Sequence, residues 1–408
     1  MPEQPLLVLD ATGADRHAEH QALRAQGPAA RVDLLGVNAW AIADPELLKR
    51  LLTSPDVSKD GRAHWPAFHR TITEWPLALW IAVENMFTAY GPNHRRLRRM
   101  IAPAFSARRI ARMQHAIDAT VTTLLDGLAS RPLHEVVDLR EHLAYPLPIT
   151  VISQLMGVPE SQWSDFRQVV DGVFDTTLKP GEAQDNAARL YEHLDRLIAS
   201  KHRSPGDDMT SLLIAARDDE SDGSGLTHQE LRDTLLLMIS AGYETTVNAI
   251  DQSLFTLLTH PDQLKSVRTG VITWHDIVEE TLRHESAVKH LPLRYAINDI
   301  PLSNGQTITR GDAILASYAA ANRHPGWHAD ADTFDATRSF KDHLAFGHGV
   351  HYCLGAPLAR MEVATVLQFL FSRFPDIRLA VPASDLKPVP SLISNGHQTL
   401  PVQLHASN

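Results

Sequence analysis

The pattern of apolar and polar positions changes character several times along the chain. Between Arg31 and Ala43 short apolar stretches flank Gly36-Val37-Asn38, as in a β-hairpin, and Asp44-Pro45 then opens a helix through Leu52. The segment from His64 to Tyr90, with Trp65-Pro66, Trp75-Pro76 and Trp80, holds no helical period and is expected to be a long irregular loop. From His94 the period becomes helical, and it recurs over 109–128, 147–156, 160–177, 181–202 and 209–217. Thr227 N-caps a much longer helical pattern, with Glu230 completing a capping box, and His260-Pro261 stops it after Thr259. About 33 residues at 1.5 Å each span roughly 50 Å, enough to cross a whole molecule of this size.

The middle of that helix, Ser240-Ala241-Gly242-Tyr243-Glu244-Thr245-Thr246, carries small, polar and β-branched residues where an apolar face is expected. Its glycine alone costs about 1 kcal/mol of helix propensity, so something is expected to lie against it. A further helix is predicted over Trp274–Glu285, with Glu280 and Arg283 one turn apart on one face. β-like segments follow at 293–296, 306–309, 313–317 and 377–404, the last with Asn395-Gly396 as its expected hairpin tip, and an apolar helix is predicted over 356–371. Helices and strands do not alternate, so the predicted class is mainly α with minor antiparallel β-sheets, not a doubly wound sheet. Without repeats or long linkers, residues 1–408 are expected to form a single domain.

An apolar fraction of 44% supports a large core. Acidic residues exceed basic ones by 48 − 38 = 10, which argues against nucleic acid as a partner. Seven arginines nevertheless crowd one stretch: Arg95, Arg96, Arg98, Arg99, Arg108, Arg109 and Arg112. This is either a solvated helix face or a docking surface for an acidic partner. The first 35 residues, with Asp10, Asp15, Arg16, Glu19 and Arg24, lack an apolar run long enough for a signal or a membrane span. One cysteine cannot form an internal disulfide. A soluble, cytoplasmic, monomeric protein is the expectation.

That cysteine lies in Phe346-Gly347-His348-Gly349-Val350-His351-Tyr352-Cys353-Leu354-Gly355, directly before the last apolar helix. A lone cysteine is ordinarily a small buried hydrophobe. Here the first-turn N–H groups and helix dipole favour a thiolate suited to a metal, and glycines let the backbone pass close to something flat or bulky. Two rival motifs fail. Gly347-His348-Gly349-Val350-His351-Tyr352 begins like a dinucleotide fingerprint, but its third glycine is Tyr352 and no βαβ unit surrounds it. His134-Glu135 and His284-Glu285 begin like a zinc-protease helix, but Asp138 and Val288 stand where the second histidine belongs.

Taken together, the stretches at 94–98, 241–245, 280–283 and 346–360 resemble the cytochrome P-450 family of haem-thiolate monooxygenases, in the family's order and over nearly the whole chain. The cysteine loop, continuing to Leu358-Ala359-Arg360, matches every fixed position of the family's haem-binding signature. The resemblance implies that Cys353 is the axial ligand of haem b iron, that Phe346 walls the haem, and that His351, His94, Arg98 and Arg294 hold its propionates. It implies that Glu280, Arg283 and Arg338 form a buried structural ion triad. In Ala241–Thr246 it gives Gly242 the role of making room for dioxygen and Thr245 that of donating to it. Glu244, ionised and mobile, would relay protons from solvent. A helical threonine can instead bond back to the carbonyl four residues earlier.

The stretches 57–66 and 85–91 look most similar to actinobacterial members that oxidise macrolides and steroids, which implies a bulky apolar substrate. Met86, Phe87, Phe174, Met238, Ala241, Val288, Leu291, Ile393 and Gln398 are the expected pocket residues. The Trp/Pro-rich loop and the helices over 160–202 are the expected lid. The implied reaction inserts one atom of dioxygen into a C–H bond. Its two electrons come from NAD(P)H through a ferredoxin reductase and a ferredoxin docking near Arg95–Arg112. A peroxide-driven peroxygenase and a non-catalytic haem sensor or carrier are the alternatives, and neither needs the Glu244-Thr245 pair.

Overall fold

The structure, a computed structural model, describes residues 6–218 and 225–405. The first hairpin pairs Ala29–Leu34 with Val37–Ile42 in antiparallel register from Ala29↔Ile42 to Leu34↔Val37. Its two-residue turn, Leu35-Gly36, takes φ values of 52° and 88°, as the twist of a tight hairpin demands. Asp44 caps the following helix, Pro45–Thr53, by accepting the Leu47 N–H at 2.7 Å.

Val37–Ile42 also lies beside Ala313–Ala316, which pairs with Leu291–Ala296, and Leu7–Val8 and Val57–Ser58 complete a six-stranded sheet. Two of its pairings are parallel, Leu7–Val8 on 32–33 and 39–42 on 313–316; the rest are antiparallel. The register of Leu291–Ala296 slips between Leu291 and Arg294, a bulge in the strand that supplies both residues to the site. Two smaller antiparallel sheets join 136–138, 401–403 and 378–379, and 300–301 with 307–308.

Asn395-Gly396 is not a hairpin tip. Pro388 bridges His397 and the Val389 N–H bonds the Gly396 carbonyl, so the bend lies over 390–395. The glycine serves close approach instead: a Cβ at 396 would run into Asn248 Oδ1 and come within 2.9 Å of Arg140 Nη1.

The long helix, His228–Thr259, has the expected capping box, with Glu230 N–H on Thr227 Oγ1 at 3.0 Å and Thr227 N–H on Glu230 Oε2 at 2.9 Å. It is buried on most of its circumference, which is why its sequence shows no clean apolar stripe. The helices Pro146–Met156, Trp163–Phe174, Pro180–Arg203 and Ala356–Arg373 pack around it.

The irregular segment starts at the end of one helical turn, Gly61–His64, and contains only two more, Phe68–Thr71 and Leu79–Ala82. Its tryptophans pin it. Trp65 stacks on Tyr295 at 5.3 Å, Trp75 Nε1 donates to Leu34 O at 3.2 Å, and Trp80 Nε1 to Val173 O at 3.1 Å. Among the described residues no helix is long and apolar enough to cross a membrane.

Candidate active site

The long helix and the cysteine loop face each other across a cavity that holds about 1520 Å³ of atom-free space, its mouth included. Cys353 opens onto this cavity beside Phe346, His351, Leu354 and Gly355. The loop is closed by the Cys353 N–H on Phe346 O at 3.0 Å, and Gly347 and Gly349 take left-handed φ of 73° and 72°. A Cβ at Gly349 would stand 2.9 Å from the Leu52 carbonyl, so a bulkier residue would push the loop off the Pro45–Thr53 helix. Burial pushes the Cys353 thiol up, outweighing the N–H groups of Gly355 and Ala356 and the guanidinium groups of Arg98 and Arg360. The helix terminus alone therefore does not make the thiolate; a coordinating metal ion would remove the proton outright.

Cations gather at one edge of the cavity. Arg98, one turn after His94 on the helix Gly91–Ile101, donates to Tyr352 O at 2.8 Å. Arg294, 4% exposed, His351 and Lys59 line the wall, and His94 stands behind His351 with ring centroids 4.1 Å apart. Lys59 Nζ donates to Pro292 O at 3.2 Å and sits 3.7 Å over the Phe87 ring. Burial, reinforced by Arg98, Arg294 and Arg95, depresses His94 to about 4. Burial and the neighbouring Arg294, His94 and Lys59 drive His351 far below its ordinary range, and burial beside Arg294 pulls Lys59 well down.

Among the described residues, the groups acting most on these three are cations, not carboxylates. The buried His94 Nε2 also lacks a partner among the described residues. Buried cations without a counter-ion cost several kcal/mol, so the site is built for anionic groups. A flat apolar cofactor bearing carboxylates and an iron for the sulfur fits these residues, as haem does. Lys59 carried no spacing signal that could have marked it in the sequence.

On the opposite wall Thr245 faces the cavity, and its hydroxyl donates to Ala241 O at 2.7 Å. Gly242 also lines the cavity, but a Cβ there would run into Ile152 Cδ1 at 2.6 Å. Close approach of the Pro146–Met156 helix by itself already requires glycine at 242.

Glu244 does not match the expectation of an ionised, mobile carboxylate. It is buried and turned away from the cavity, and its Oε1 accepts from Asn248 Nδ2 at 2.9 Å and Arg140 Nη2 at 3.3 Å. Burial raises its pKa, with Arg140 and Asn248 opposing. Successive helical residues point about 100° apart, so Thr245 can face the cavity while Glu244 points away from it. Arg140, which sequence reasoning missed, is 1% exposed and also donates to Asn248 Oδ1 at 2.9 Å and Tyr145 OH at 3.2 Å. Beyond it Tyr243 OH donates to Asp171, which burial and Glu244 push up to about 7.

Behind the cysteine loop, Arg283 grips Glu280 through Nε at 2.7 Å and Nη2 at 2.8 Å, and Arg338 Nε reaches Glu280 Oε1 at 3.2 Å. Arg283 also donates to Ala331 O and Thr333 O, and Arg338 to Asp330 O, so the ions stitch the Trp274–His284 helix to the segment before the loop. Removing one partner would strand a buried charge at roughly 3–5 kcal/mol. Next to it Glu279 pairs bidentately with Arg360 of the Ala356–Arg373 helix at 2.6 and 2.8 Å.

Of the expected pocket residues, Met86, Phe87, Met238, Ala241, Val288 and Leu291 line the cavity. Phe174, Ile393 and Gln398 do not. Phe174 packs edge-on against Trp80 at 5.1 Å, one ring removed from Phe87. Ile393 is fully buried, its carbonyl accepting the Lys289 N–H at 2.7 Å. Gln398 is exposed and bonds Pro388 O, because the terminal bend lies earlier than the Asn-Gly pair suggested. Ile152, Ala249 and Glu362 line the cavity unforeseen, since in the pattern they read as ordinary helix positions, and Thr246 of the anomalous mid-helix stretch joins them. Of the seven clustered arginines, Arg98 faces the cavity and Arg96 pairs with Glu230; Arg95, Arg99, Arg108, Arg109 and Arg112 are exposed.

A thiol in a glycine loop, cationic and apolar walls and a long helix opposite define a haem-thiolate protein. A cytochrome P-450 family profile matches residues 157–273 and 274–393, and the chain belongs to that family. It is 43% identical over 400 residues to the 2-hydroxy-5-methyl-1-naphthoate 7-hydroxylase of Streptomyces carzinostaticus, covering 97% of each chain. To the monooxygenase PikC of Streptomyces venezuelae it is 37% identical over 404 residues, 98% of this chain and 94% of PikC. Among solved structures, CYP154A1 from Streptomyces coelicolor A3(2) superposes with a TM-score of 0.95 at 70% identity, over 98% of this chain and 100% of that one. The steroid-bound CYP154C4 from Streptomyces sp. ATCC 11861 gives 0.94 at 37%, over 99% of both. The chain is thus an oxygen-inserting oxidoreductase with a haem cofactor.

Proposed function

We propose that this monooxygenase hydroxylates a bulky, mostly apolar substrate of polyketide, macrolide or steroid type, using haem b and electrons passed from NAD(P)H by a ferredoxin reductase and a ferredoxin. The observation that carries the substrate class is the apolar wall of Met86, Phe87, Met238, Ala241, Val288 and Leu291 converging beside Thr245. The relatives named for naphthoate hydroxylation and steroid binding support it. The single cysteine and the net acidic chain support a cytoplasmic setting, with the protein acting as a monomer.

When bound, haem supplies the centre at which dioxygen is reduced and one of its atoms is passed to the substrate. Cys353 offers the sulfur ligand, while Arg98, Arg294, His351 and Lys59 offset the cofactor's carboxylates. Phe346, with Arg360 4.6 Å over its ring, forms a rigid aromatic wall. The Thr245 hydroxyl, parked on the Ala241 carbonyl, can rotate to deliver a proton into the cavity. Glu244 can take part once its side chain leaves Asn248 and Arg140.

Titration of the ferric holoenzyme with steroids, macrolides and naphthoates tests the substrate class. Saturable spectral change with the bulky apolar compounds is expected, and a response only to small polar acids would overturn it. Thr245→Ala should keep consuming NADPH while product per NADPH falls about 10-fold or more and peroxide rises. Unchanged coupling would remove Thr245 from the proton path.

A further inference from the structure

We propose that the chain binds one divalent transition-metal ion, with the ligand preference of zinc, between Glu19, His20 and His290. None of the three lines the haem cavity. Glu19 and His20 lie on the helix Arg16–Ala25, and His290 directly precedes the strand Leu291–Ala296. One ligand atom from each residue falls within 4.8 Å of the others.

His20 is the telling member. It is 3% exposed, yet among the described residues neither ring nitrogen has a hydrogen-bond partner. A buried polar atom left unpaired costs about 1–3 kcal/mol, so an imidazole with both nitrogens unmet asks for a ligand. Its ring stands edge-on to that of His290, centroids 5.6 Å apart at 76°.

The other two are already held by outer contacts of the kind that orient metal ligands. His290 Nδ1 lies 3.1 Å from Ser317 Oγ, which leaves Nε2 facing Glu19 Oε1 at 2.9 Å. Glu19 Oε2 accepts the Asp10 N–H at 3.0 Å. Two imidazoles and one carboxylate form the three-ligand set of an open zinc site, with water in the fourth position; calcium and magnesium prefer all-oxygen sets.

Bonds of about 2.0–2.2 Å put tetrahedral ligand atoms roughly 3.3 Å apart. The Glu19–His290 contact therefore opens by a few tenths of an ångström and His20 closes in. Glu19 offsets part of the ion's charge; Lys289, whose Nζ is held on Ser391 O at 2.6 Å, and Arg323 are among the cations that act on His20. The ion would staple the amino-terminal helix to the strand that supplies Leu291 and Arg294 to the haem cavity.

The test uses the tag-free, haem-loaded full chain, chelator-treated and dialysed, then titrated calorimetrically with zinc chloride alone. One zinc per chain in addition to iron is expected, with nitrogen and oxygen ligation at the zinc absorption edge and a zinc-dependent rise in Tm. His20→Phe breaks no protein hydrogen bond, and Glu19→Gln is nearly isosteric. Each should weaken zinc binding by roughly 100-fold or more and abolish the Tm rise, with the haem spectrum unchanged. Should His20→Phe fail to fold, Glu19→Gln alone decides. Absence of saturable zinc binding to the wild type, or undiminished binding in the folded variants, would overturn the site.

Discussion

At Gly242 the absence of one methyl group decides how closely two helices approach, because the space a Cβ would need is filled by Ile152. Gly242→Ala should therefore lower stability in denaturant unfolding by about 1–3 kcal/mol, as overpacking does. Combined with Ile152→Val, which removes the clashing Cδ1, the penalty should be clearly less than the sum of the single changes; strict additivity would contradict the contact. Neighbouring Glu244 and Thr245 show what a sequence can and cannot convey at this scale. Their chemistry was legible as an acid beside an alcohol, but their directions were not, because the partner that captures Glu244 is Arg140, 104 residues away. Lys59 was illegible for the same reason: its value comes from Arg294 and Phe87, which the fold brings to it.

The elements that hold the site are joined by ion pairs whose strength depends on pH. Burial alone would raise Glu279, but hydrogen bonds from Arg360 and His343 hold it at about 2, below its ordinary 4.5. A carboxylate depressed in the folded state contributes stability that is complete above the unfolded pKa and is lost as pH falls through the folded one. Stability should thus decline between pH of about 4.5 and 2, and Glu279→Gln should flatten that decline by on the order of 2 kcal/mol, allowing for partial screening. An unchanged acid-unfolding profile would show that the bridge between the Trp274–His284 and Ala356–Arg373 helices contributes nothing. The long helix and the first hairpin were legible because caps and turn residues are local signals. The parallel pairing of 39–42 with 313–316 was not, since nothing local links strands so far apart. Asn395-Gly396 misled because a glycine is wanted both in turns and where backbones meet side chains closely.

Over the whole molecule, a net charge of −10 coexists with exposed Arg95, Arg99, Arg108, Arg109 and Arg112. These five pair with no carboxylate among the described residues. Such a patch would steer an acidic electron donor, the partner proposed above. Arg109→Glu with Arg112→Glu should slow reduction by an acidic ferredoxin roughly 10-fold at low ionic strength, the gap closing near 1 M salt, where the Debye length is about 3 Å. Equal rates at low salt would exclude this face as the docking surface. All of these features converge on one sulfur, and the ferrous carbon-monoxide spectrum of the purified holoenzyme tests it most directly. The wild type should show the strongly red-shifted Soret band of a thiolate-ligated haem, and Cys353→Ser should retain haem and lose that band. A haem-loaded wild type without it, or a band that survives in Cys353→Ser, would contradict Cys353 as the axial ligand.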